Sequence, residues 1–271
     1  MSNLLSPFIP YWESITDLEK QYLTGEEPVL VLCSDMNQYV CKYMRTSKPS
    51  FKLVNELVGS IFAEVWGIPT PGIALINIKE AHWKHLHLPH VHNVPSLGSR
   101  YMQQVADLSP SSFNEIVVSK ATLKDIMEIA LFDIWIANED RNINNFNLMY
   151  RLDTKQIIAI DFGCIFNTGT YDFFLTQLTA TDTILYSDLF HFISKNFKIT
   201  FIEQNILDLK QEYMLNIEKS KKIISQFKRL VPVEWNVPFQ MIEDKVFQLF
   251  DKGWINSTWD NFRENVYDNL R

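Results

Sequence analysis

One stretch of the sequence constrains the fold more than any other: a long apolar helix, a polar loop and two apolar strands. Residues 120–136 are rich in apolar residues, above all towards their C-terminal end, and predict a buried helix. The loop that follows contains Asp140 and Asn145, five positions apart, and the second of the two strands ends at Asp161. This layout is typical of a phosphoryl-transfer site.

The residue types in this stretch fit that chemistry. Phosphoryl transfer needs positioning and neutralisation of charge more than covalent chemistry. We predict that Asp140 orients an attacking hydroxyl, while Asn145 and Asp161 offer the hard oxygen ligands that Mg²⁺ prefers. Arg141 could pair with phosphate or brace the loop. Each motif is short enough to occur by chance, including Asp161-Phe162-Gly163, so the prediction depends on their joint occurrence.

A lysine and a glutamate upstream complete the expected set. Lys42 lies inside the second strand of a predicted hairpin, where a lysine can neutralise phosphate charge. The amphipathic helix that follows carries Glu56 and Glu64, and either could hold the lysine in place. The hairpin turn at 34–37 contains no glycine, so either Ser34 and backbone amides approach the phosphates or nucleotide binding is weak.

The order of the elements predicts an α+β fold with two lobes, in which a sheet-rich part precedes a helical part. We place the N-terminal lobe at residues 1–105 and the helical lobe, with the catalytic loop, at 106–271. A turn is predicted at 96–100. Strands are predicted at 28–33, 38–44, 72–78, 101–105, 146–152 and 156–160. Helices are predicted at 15–22, 50–66, 120–136, 181–195, 201–227, 239–250 and 258–270.

Composition excludes several classes of protein. Hydrophobic residues make up 46% of the 271 positions, which is enough for a large core. A net charge of −7 argues against a general nucleic-acid binder. Three cysteines without CxxC spacing favour free thiols in a reducing compartment. The N-terminus lacks the features of a signal peptide, and no run is long enough for a transmembrane segment, so we expect a cytoplasmic protein.

Five of the six histidines lie between His82 and His92. Clustered histidines raise the question of a metal site. Their spacings of 3, 2, 3 and 2 match no recognised zinc pattern, and no cysteine lies nearby. We therefore interpret this stretch as a surface insertion with incidental metal affinity.

The motifs together resemble those of the HipA-like kinases, which share the catalytic core of protein kinases and phosphatidylinositol 3/4-kinases. The resemblance covers roughly residues 28–165, and the C-terminal helices match only as generic helices. In the helical lobe it rests on Asn138-Glu139-Asp140-Arg141, Asn145-Phe146-Asn147-Leu148 and Ile160-Asp161-Phe162-Gly163. In the N-terminal lobe it rests on Tyr39-Val40-Cys41-Lys42, Asn55-Glu56-Leu57 and Gly67-Ile68-Pro69-Thr70-Pro71.

This resemblance implies a kinase that uses ATP and Mg²⁺ and phosphorylates Ser or Thr of a protein substrate. It implies a catalytic role for Asp140, metal-binding roles for Asn145 and Asp161, a phosphate contact for Lys42, and Glu56 as the partner of that lysine. Several members of the family are held in check by a partner protein, so the resemblance leaves an inhibitory partner open.

The adenine contacts and two other functions also remain open at this point. By order along the chain, the connector between the lobes includes Gln103 and Val105, whose backbone groups are the candidates to meet adenine. The glycine-free turn at 34–37 motivates one alternative, a pseudokinase that binds a nucleotide or a partner without turnover. The core shared with lipid kinases motivates another, a kinase that acts on a lipid or a small molecule.

Overall fold

A computed structural model describes residues 8–83, 88–169 and 171–270. The predicted α+β architecture is confirmed, since a sheet-rich N-terminal part is followed by a helical C-terminal part. The strands are β1 (Tyr11–Glu13), β2 (Lys20–Gln21), β3 (Val29–Leu32), β4 (Gln38–Lys42), β5 (Ile73–Asn77), β6 (Ser96–Arg100), β7 (Val105–Asp107), β8 (Leu148–Arg151) and β9 (Gln156–Ala159). The helices are α1 (Phe51–Trp66), α2 (Lys120–Ile136), α3 (Ile165–Gly169), α4 (Asp188–Ser194), α5 (Ile199–Ile223), α6 (Phe227–Leu230), α7 (Phe239–Gln248) and α8 (Lys252–Asp268).

The N-terminal sheet has six strands in the order β1-β5-β6-β4-β3-β2. The predicted hairpin of β3 and β4 is confirmed, and β4 also pairs antiparallel with β6. The strand that carries Lys42 is therefore an interior strand with neighbours on both sides. Lys42 is the last residue of β4 and pairs with Leu97.

The helix predicted at 15–22 is wrong, because this segment pairs with β3 instead. The backbone N–H of Ile15 donates to the carbonyl of Leu32, and that of Glu19 donates to the carbonyl of Leu30. Without this segment, the outer edge of β3 would leave its backbone groups unpaired, and pairing them outweighs a weak local helix preference. As a result, the turn at 22–28 joins β2 to β3.

The turn predicted at 96–100 is also wrong, because Ser96–Arg100 forms strand β6 in the middle of the sheet. The small residues that suggest a turn are required there by packing. A Cβ atom added to Gly98 would lie 2.8 Å from Cγ1 of Ile76 and 3.0 Å from Cβ of Tyr39. The strand predicted at 101–105 is correspondingly misplaced, and of those residues the structure assigns Val105 to a strand, β7.

Helix α2 spans Lys120–Ile136, as predicted, and leads into the polar loop. Ser119 caps its first turn, where its side chain accepts a hydrogen bond from the backbone N–H of Thr122 at 3.2 Å. After the loop, β8 and β9 form a hairpin, and β7 pairs with β8 on its other side. The loop therefore joins α2 to this small sheet.

An aromatic cluster anchors α1 to the helical part of the chain. The rings of Trp66 and Trp135 stack with centroids 5.0 Å apart, and Phe62 contacts the edge of Trp135 at 5.2 Å. Trp66 also donates to Ser220 of α5 at 3.1 Å. Gly67 then ends α1 with φ of 79°, a left-handed conformation that glycine adopts without a steric penalty. The position of α1 is therefore fixed by buried contacts along its length.

The C-terminal part is helical, as predicted, but several helix boundaries differ from the prediction. The helix predicted at 181–195 is interrupted, and its regular part, α4, begins after Ser187, whose hydroxyl accepts from the N–H of Phe190. Helix α8 begins six residues earlier than predicted, because Asp251 caps it by accepting from the backbone of Gly253 and Trp254. Among the residues that the structure describes, no helix is both long and apolar enough to cross a membrane.

Candidate active site

The centre of the site is Lys42, which contacts three carboxylates. Its Nζ atom lies 2.8 Å from Oε2 of Glu56, 2.7 Å from Oδ1 of Asp161 and 3.4 Å from Oε2 of Glu26. Of the two glutamates predicted as partners, Glu56 makes the contact, whereas Glu64 is exposed on α1. Strand β4, helix α1 and the segment after β9 thus meet at one ammonium group.

The charges of this cluster are set by burial and by mutual attraction. Burial alone would lower the pKa of Lys42, but the carboxylates of Glu56, Asp161 and Glu26 outweigh it and raise that pKa. Burial raises the pKa of Glu56 to about 7, against the opposing effect of Lys42. Burial also opposes ionisation of Asp161, yet Lys42 holds its pKa below the usual value. Lys42 is therefore a permanent cation beside an ionised Asp161.

Helix α1 also fixes the Asp-Phe-Gly turn. The backbone N–H of Phe162 donates to Oε2 of Glu56 at 2.9 Å, so one oxygen binds both this turn and Lys42. Fully buried Asn55 donates to the carbonyl of Gly163 at 3.1 Å. The ring of Phe162 packs directly against Gly59, where an added Cβ atom would lie 2.4 Å from Cβ of Phe162. Asp161 has φ of 59°, a sparsely populated conformation that these contacts stabilise.

The carboxylate of Asp140 is held by two amides of its own loop. Asn145 donates its Nδ2 to Oδ1 of Asp140 at 3.1 Å, and Asn147 donates its Nδ2 to Oδ2 at 2.9 Å. Asn142 braces the loop, since its backbone N–H donates to the carbonyl of Asn145 at 2.8 Å. Asp140 is only partly buried, so its carboxylate is oriented by neutral groups and accessible to a substrate.

Arg141 is buried and braces the catalytic loop from inside the protein. Its side chain has 0% exposure and donates to Oδ1 of Asp133 at 2.5 Å and to the carbonyl of Ile160 at 2.7 Å. Burial raises the pKa of Asp133 to about 6, although Arg141 and Asn138 favour its charged form. Of the two roles considered for Arg141, the geometry supports that of a brace.

The hairpin of β8 and β9 brings the two candidate metal ligands to the same end. The backbone N–H of Ile160 donates to the carbonyl of Asn147 at 3.0 Å, which places the loop opposite the residue before Asp161. Because Asn145 donates its amide to Asp140, its carbonyl oxygen is available to a ligand. An amide oxygen and a carboxylate are a suitable donor set for Mg²⁺.

The turn that lies over Lys42 is not the predicted one at 34–37. The turn at 22–28, between β2 and β3, contains Gly25 and places Glu26 against Lys42. Oε1 of Glu26 also lies 3.1 Å from Nζ of Lys52, in the first turn of α1. These residues line a cavity of about 380 Å³ between the turn, the end of β4 and the start of α1. The candidate phosphate-covering segment therefore contains a glycine and an acidic residue.

Ser34 lies at the opposite end of the hairpin. It follows β3, beyond the pairing of Leu32 with Gln38, while Lys42 ends β4. The four residue steps from Gln38 to Lys42 span about 13 Å at the rise of a β-strand. The Ser34 hydroxyl accepts from the backbone N–H of Glu13 at 3.2 Å instead. The structure therefore does not bring Ser34 together with the other candidate residues.

The two candidate adenine contacts lie on the segment between the two sheets. Gln103 is exposed and belongs to no strand, whereas Val105 begins β7 and pairs with Arg151. The neighbouring Gln104 has φ of 57°, and its carbonyl accepts from the N–H of Leu152. The connector is thus anchored to the sheet beneath the catalytic loop.

Three residues of the site had no predicted role of their own. Asn147, Asn55 and Glu26 hold Asp140, the Asp-Phe-Gly turn and Lys42, respectively. Asn55 had a usable signal, because a polar amide within the apolar face of a helix is expensive to bury without partners. Glu26 had none, because nothing local links it to Lys42 across sixteen residues.

One family model and several solved structures are similar to this chain. The profile of the family described as HipA-like kinase matches residues 15–267. The fold is similar to the crystal structure of a Helicobacter pylori proinflammatory kinase, CtkA, with a TM-score of 0.56 and 11% identity over 94% of this chain and 99% of that one. A Golgi casein kinase aligns with a TM-score of 0.41 and 12% identity over 95% of this chain and 74% of that one. No protein with a curated description matches the sequence.

Proposed function

This chain belongs to the HipA-like kinase family and is a phosphotransferase, and from that premise we propose that it transfers the γ-phosphoryl group of ATP to a serine or threonine hydroxyl of a protein. The observation that carries the proposal is the convergence on Lys42. Glu56 and Asp161 lie 2.8 and 2.7 Å from its Nζ atom, and the hairpin of β8 and β9 joins this centre to the loop of Asp140.

Each residue has a distinct role in this proposal. Lys42 neutralises phosphate charge, and Glu56 fixes its position from α1. Asp140 accepts a hydrogen bond from the substrate hydroxyl and aligns its oxygen for attack. Asn147 keeps the Asp140 carboxylate in one orientation, which lowers the reorganisation needed during the reaction. The backbone at Gln103 and Val105 is the proposed contact for adenine.

Asn145 and Asp161 are the proposed ligands of Mg²⁺. Four carboxylates (Glu26, Glu56, Asp140 and Asp161) and two lysines (Lys42 and Lys52) lie in or beside this cluster. A nucleotide adds further negative charge to a site that is already acidic, so a divalent cation is needed for its binding. When bound, Mg²⁺ would neutralise phosphate charge and orient the transferred group.

The choice of a protein substrate rests on the family. A pseudokinase is less consistent with the site, because the turn at 22–28, which lies against Lys42, contains Gly25 and because Glu56 and Asp161 both contact that lysine. A lipid or small-molecule acceptor remains the alternative that the assay below must separate. We also propose a cytoplasmic location, since Cys33, Cys41 and Cys164 are all free thiols.

The test is phosphoryl transfer from γ-labelled ATP with Mg²⁺ by the purified chain. We expect label on the chain itself or on lysate proteins, and we expect Asp140→Asn to reduce the initial rate by about 10²–10⁴-fold, the usual contribution of a positioned acid or base. The Asp140 side chain is partly exposed, so this variant should fold.

Asp153→Asn is the matched control, because Asp153 is an exposed aspartate of the β8–β9 turn that pairs with Arg151. It should keep the wild-type rate. Equal rates for Asp140→Asn and wild type would contradict the catalytic role. Label that appears in the lipid fraction and not on protein would contradict the choice of substrate.

A further inference from the structure

A group of metal-ligating side chains lies outside the active site, on the connection between β5 and β6. Glu80 begins the 3-10 turn Glu80–Trp83, and His90 and His92 approach it from the returning segment. One ligand atom from each of these three residues lies within 4.8 Å of the others. We propose that Glu80, His90 and His92 bind a divalent transition-metal ion of the zinc type.

The orientation of His90 supports this proposal. Its Nδ1 atom lies 2.8 Å from the carbonyl oxygen of Leu88. A carbonyl can only accept, so Nδ1 carries a proton, which leaves Nε2 as the ring nitrogen that can bind a metal. Nε2 faces Oε2 of Glu80 at 3.3 Å. A cation bound between these two acceptors makes both of them ligands, and the Nδ1 bond is the outer contact that metal-binding histidines commonly make.

His92 completes the set from the other side. Its Nδ1 atom contacts the same oxygen of Glu80, and its ring lies edge-on to that of His90 at 4.7 Å. Two imidazoles and one carboxylate form a donor set that occurs in zinc sites with an open position for water. Imidazole ligands favour zinc and its neighbours over Mg²⁺, which prefers oxygen.

The site is largely preorganised. The ring of His90 stacks on Trp83 with centroids 4.0 Å apart and planes 8° from parallel, and its side chain is only 12% exposed. Trp83 is itself buried against the edge of Tyr43. Because His90 is already fixed, metal binding needs to order only Glu80 and His92 at the surface, which lowers its entropic cost.

The sequence alone predicts only incidental metal affinity for this stretch, since the spacing of its histidines matches no recognised zinc pattern and Glu80 lies outside it. His82 is not part of this group, and its Nδ1 atom contacts the hydroxyl of Ser14 at 2.7 Å. His85 and His87 lie outside the described residues.

A metal here would tie the connection to the strand of Lys42. The backbone N–H of Val91, between the two histidines, donates to the carbonyl of Met44 at 2.9 Å. Met44 follows Lys42 by two residues. We therefore expect bound metal to stabilise the N-terminal sheet, and to do so independently of phosphoryl transfer.

The test uses the full chain stripped with EDTA and dialysed. Zinc chloride is titrated by isothermal calorimetry, and the melting temperature is measured with and without zinc. We expect one zinc ion per chain and a rise in melting temperature, with no rise from MgCl₂ at the same concentration. His92→Ala, at an exposed position, and His90→Phe, which keeps a ring against Trp83, should each weaken zinc binding by more than about tenfold.

His191→Ala is the control, because His191 is exposed on α4, far along the chain from this group. It should bind zinc like the wild type. A double variant, His85→Ala with His87→Ala, tests the neighbouring histidines. Wild-type zinc affinity in His92→Ala and His90→Phe would overturn the proposal, whatever the double variant does. If the double variant also binds weakly, the set of ligands is larger than three and still includes His90 and His92.

Discussion

The contact between α1 and the Asp-Phe-Gly turn makes Gly59→Ala an informative substitution. Gly59 lies inside α1, where alanine is normally favoured over glycine by about 1 kcal/mol. The added Cβ atom would, however, lie 2.4 Å from Cβ and 2.8 Å from Cγ of Phe162. Carbon atoms in contact are ordinarily about 3.5–4.0 Å apart, so Phe162 must withdraw by more than about 1 Å.

Phe162 has little room to withdraw. It is 1% exposed, its ring packs edge-on against Phe132 at 5.9 Å, and the guanidinium group of Arg141 lies 5.0 Å above it. The nearest atom is its Cβ, which is bonded to the backbone, so a rotation of the ring does not relieve the overlap. The backbone of the turn must move, and Asp161 moves with it.

The expected free energies separate stability from activity. Overpacking costs about 1–3 kcal/mol, and the gain in helix propensity offsets about 1 kcal/mol of this. The free energy of unfolding should therefore fall by at most about 2 kcal/mol, which lowers the melting temperature by at most a few degrees. A displacement of about 1 Å at Asp161 should reduce the rate of phosphoryl transfer by about 100-fold.

The assay measures both quantities on the same preparation, with urea unfolding for stability and labelled ATP for the rate. Glu64→Ala, an exposed substitution on the same helix, should leave the rate unchanged. A wild-type rate in Gly59→Ala would refute the reasoning, because the overlap would then be relieved without moving the turn.

Two further predictions concern the carboxylates around Lys42. Glu26→Gln removes one of these carboxylates and should tighten ATP binding by up to about fivefold, since a partly exposed ion pair is worth up to about 1 kcal/mol. The control is Glu27→Gln, because Glu27 pairs with Arg45 and not with Lys42. Equal ATP affinities of Glu26→Gln and wild type in a binding titration would contradict the prediction. Glu56 has its pKa raised from 4.5 to about 7, so the folded chain binds this proton more tightly than the unfolded chain does, and this contribution to stability is lost as pH rises from about 4.5 to 7. Glu56→Gln should flatten that part of the pH dependence in urea unfolding, and an unchanged slope would argue against the raised pKa.

The sequence predicted well the elements whose periodicity is strong. Helix α2, the β3–β4 hairpin and the β8–β9 hairpin follow from local patterns, and their order brings Asp140, Asn145 and Asp161 into one region. These parts were predictable because each element satisfies its own hydrogen bonds or those of a sequence neighbour.

The failures occurred where distant segments determine the local structure. The backbone at 15–22 is extended because β3 needs a partner, and Ser96–Arg100 is a strand because the centre of the sheet accepts only a small residue at Gly98. Both misplacements affected the site. The first hid the turn at 22–28, and the second misplaced a strand onto residues 101–105, most of which lie between β6 and β7. The prediction that Ser34 approaches phosphate arose from the first error, because the turn at 34–37 was then the only hairpin turn near Lys42 in the predicted sheet.

The corrected position of this turn changes how nucleotide entry should be understood. Lys42 already has three carboxylate neighbours, and a phosphate must compete with them for the same cation. Glu56 is buried and bound to the N–H of Phe162, and Asp161 is bound to Gly163, so neither can leave without disturbing the Asp-Phe-Gly turn. Glu26 lies on a turn between two strands, so only this turn has to move, and its side chain is 28% exposed. It is therefore the group that a nucleotide displaces at the least cost, and its release would leave both Lys42 and Lys52 available to phosphate.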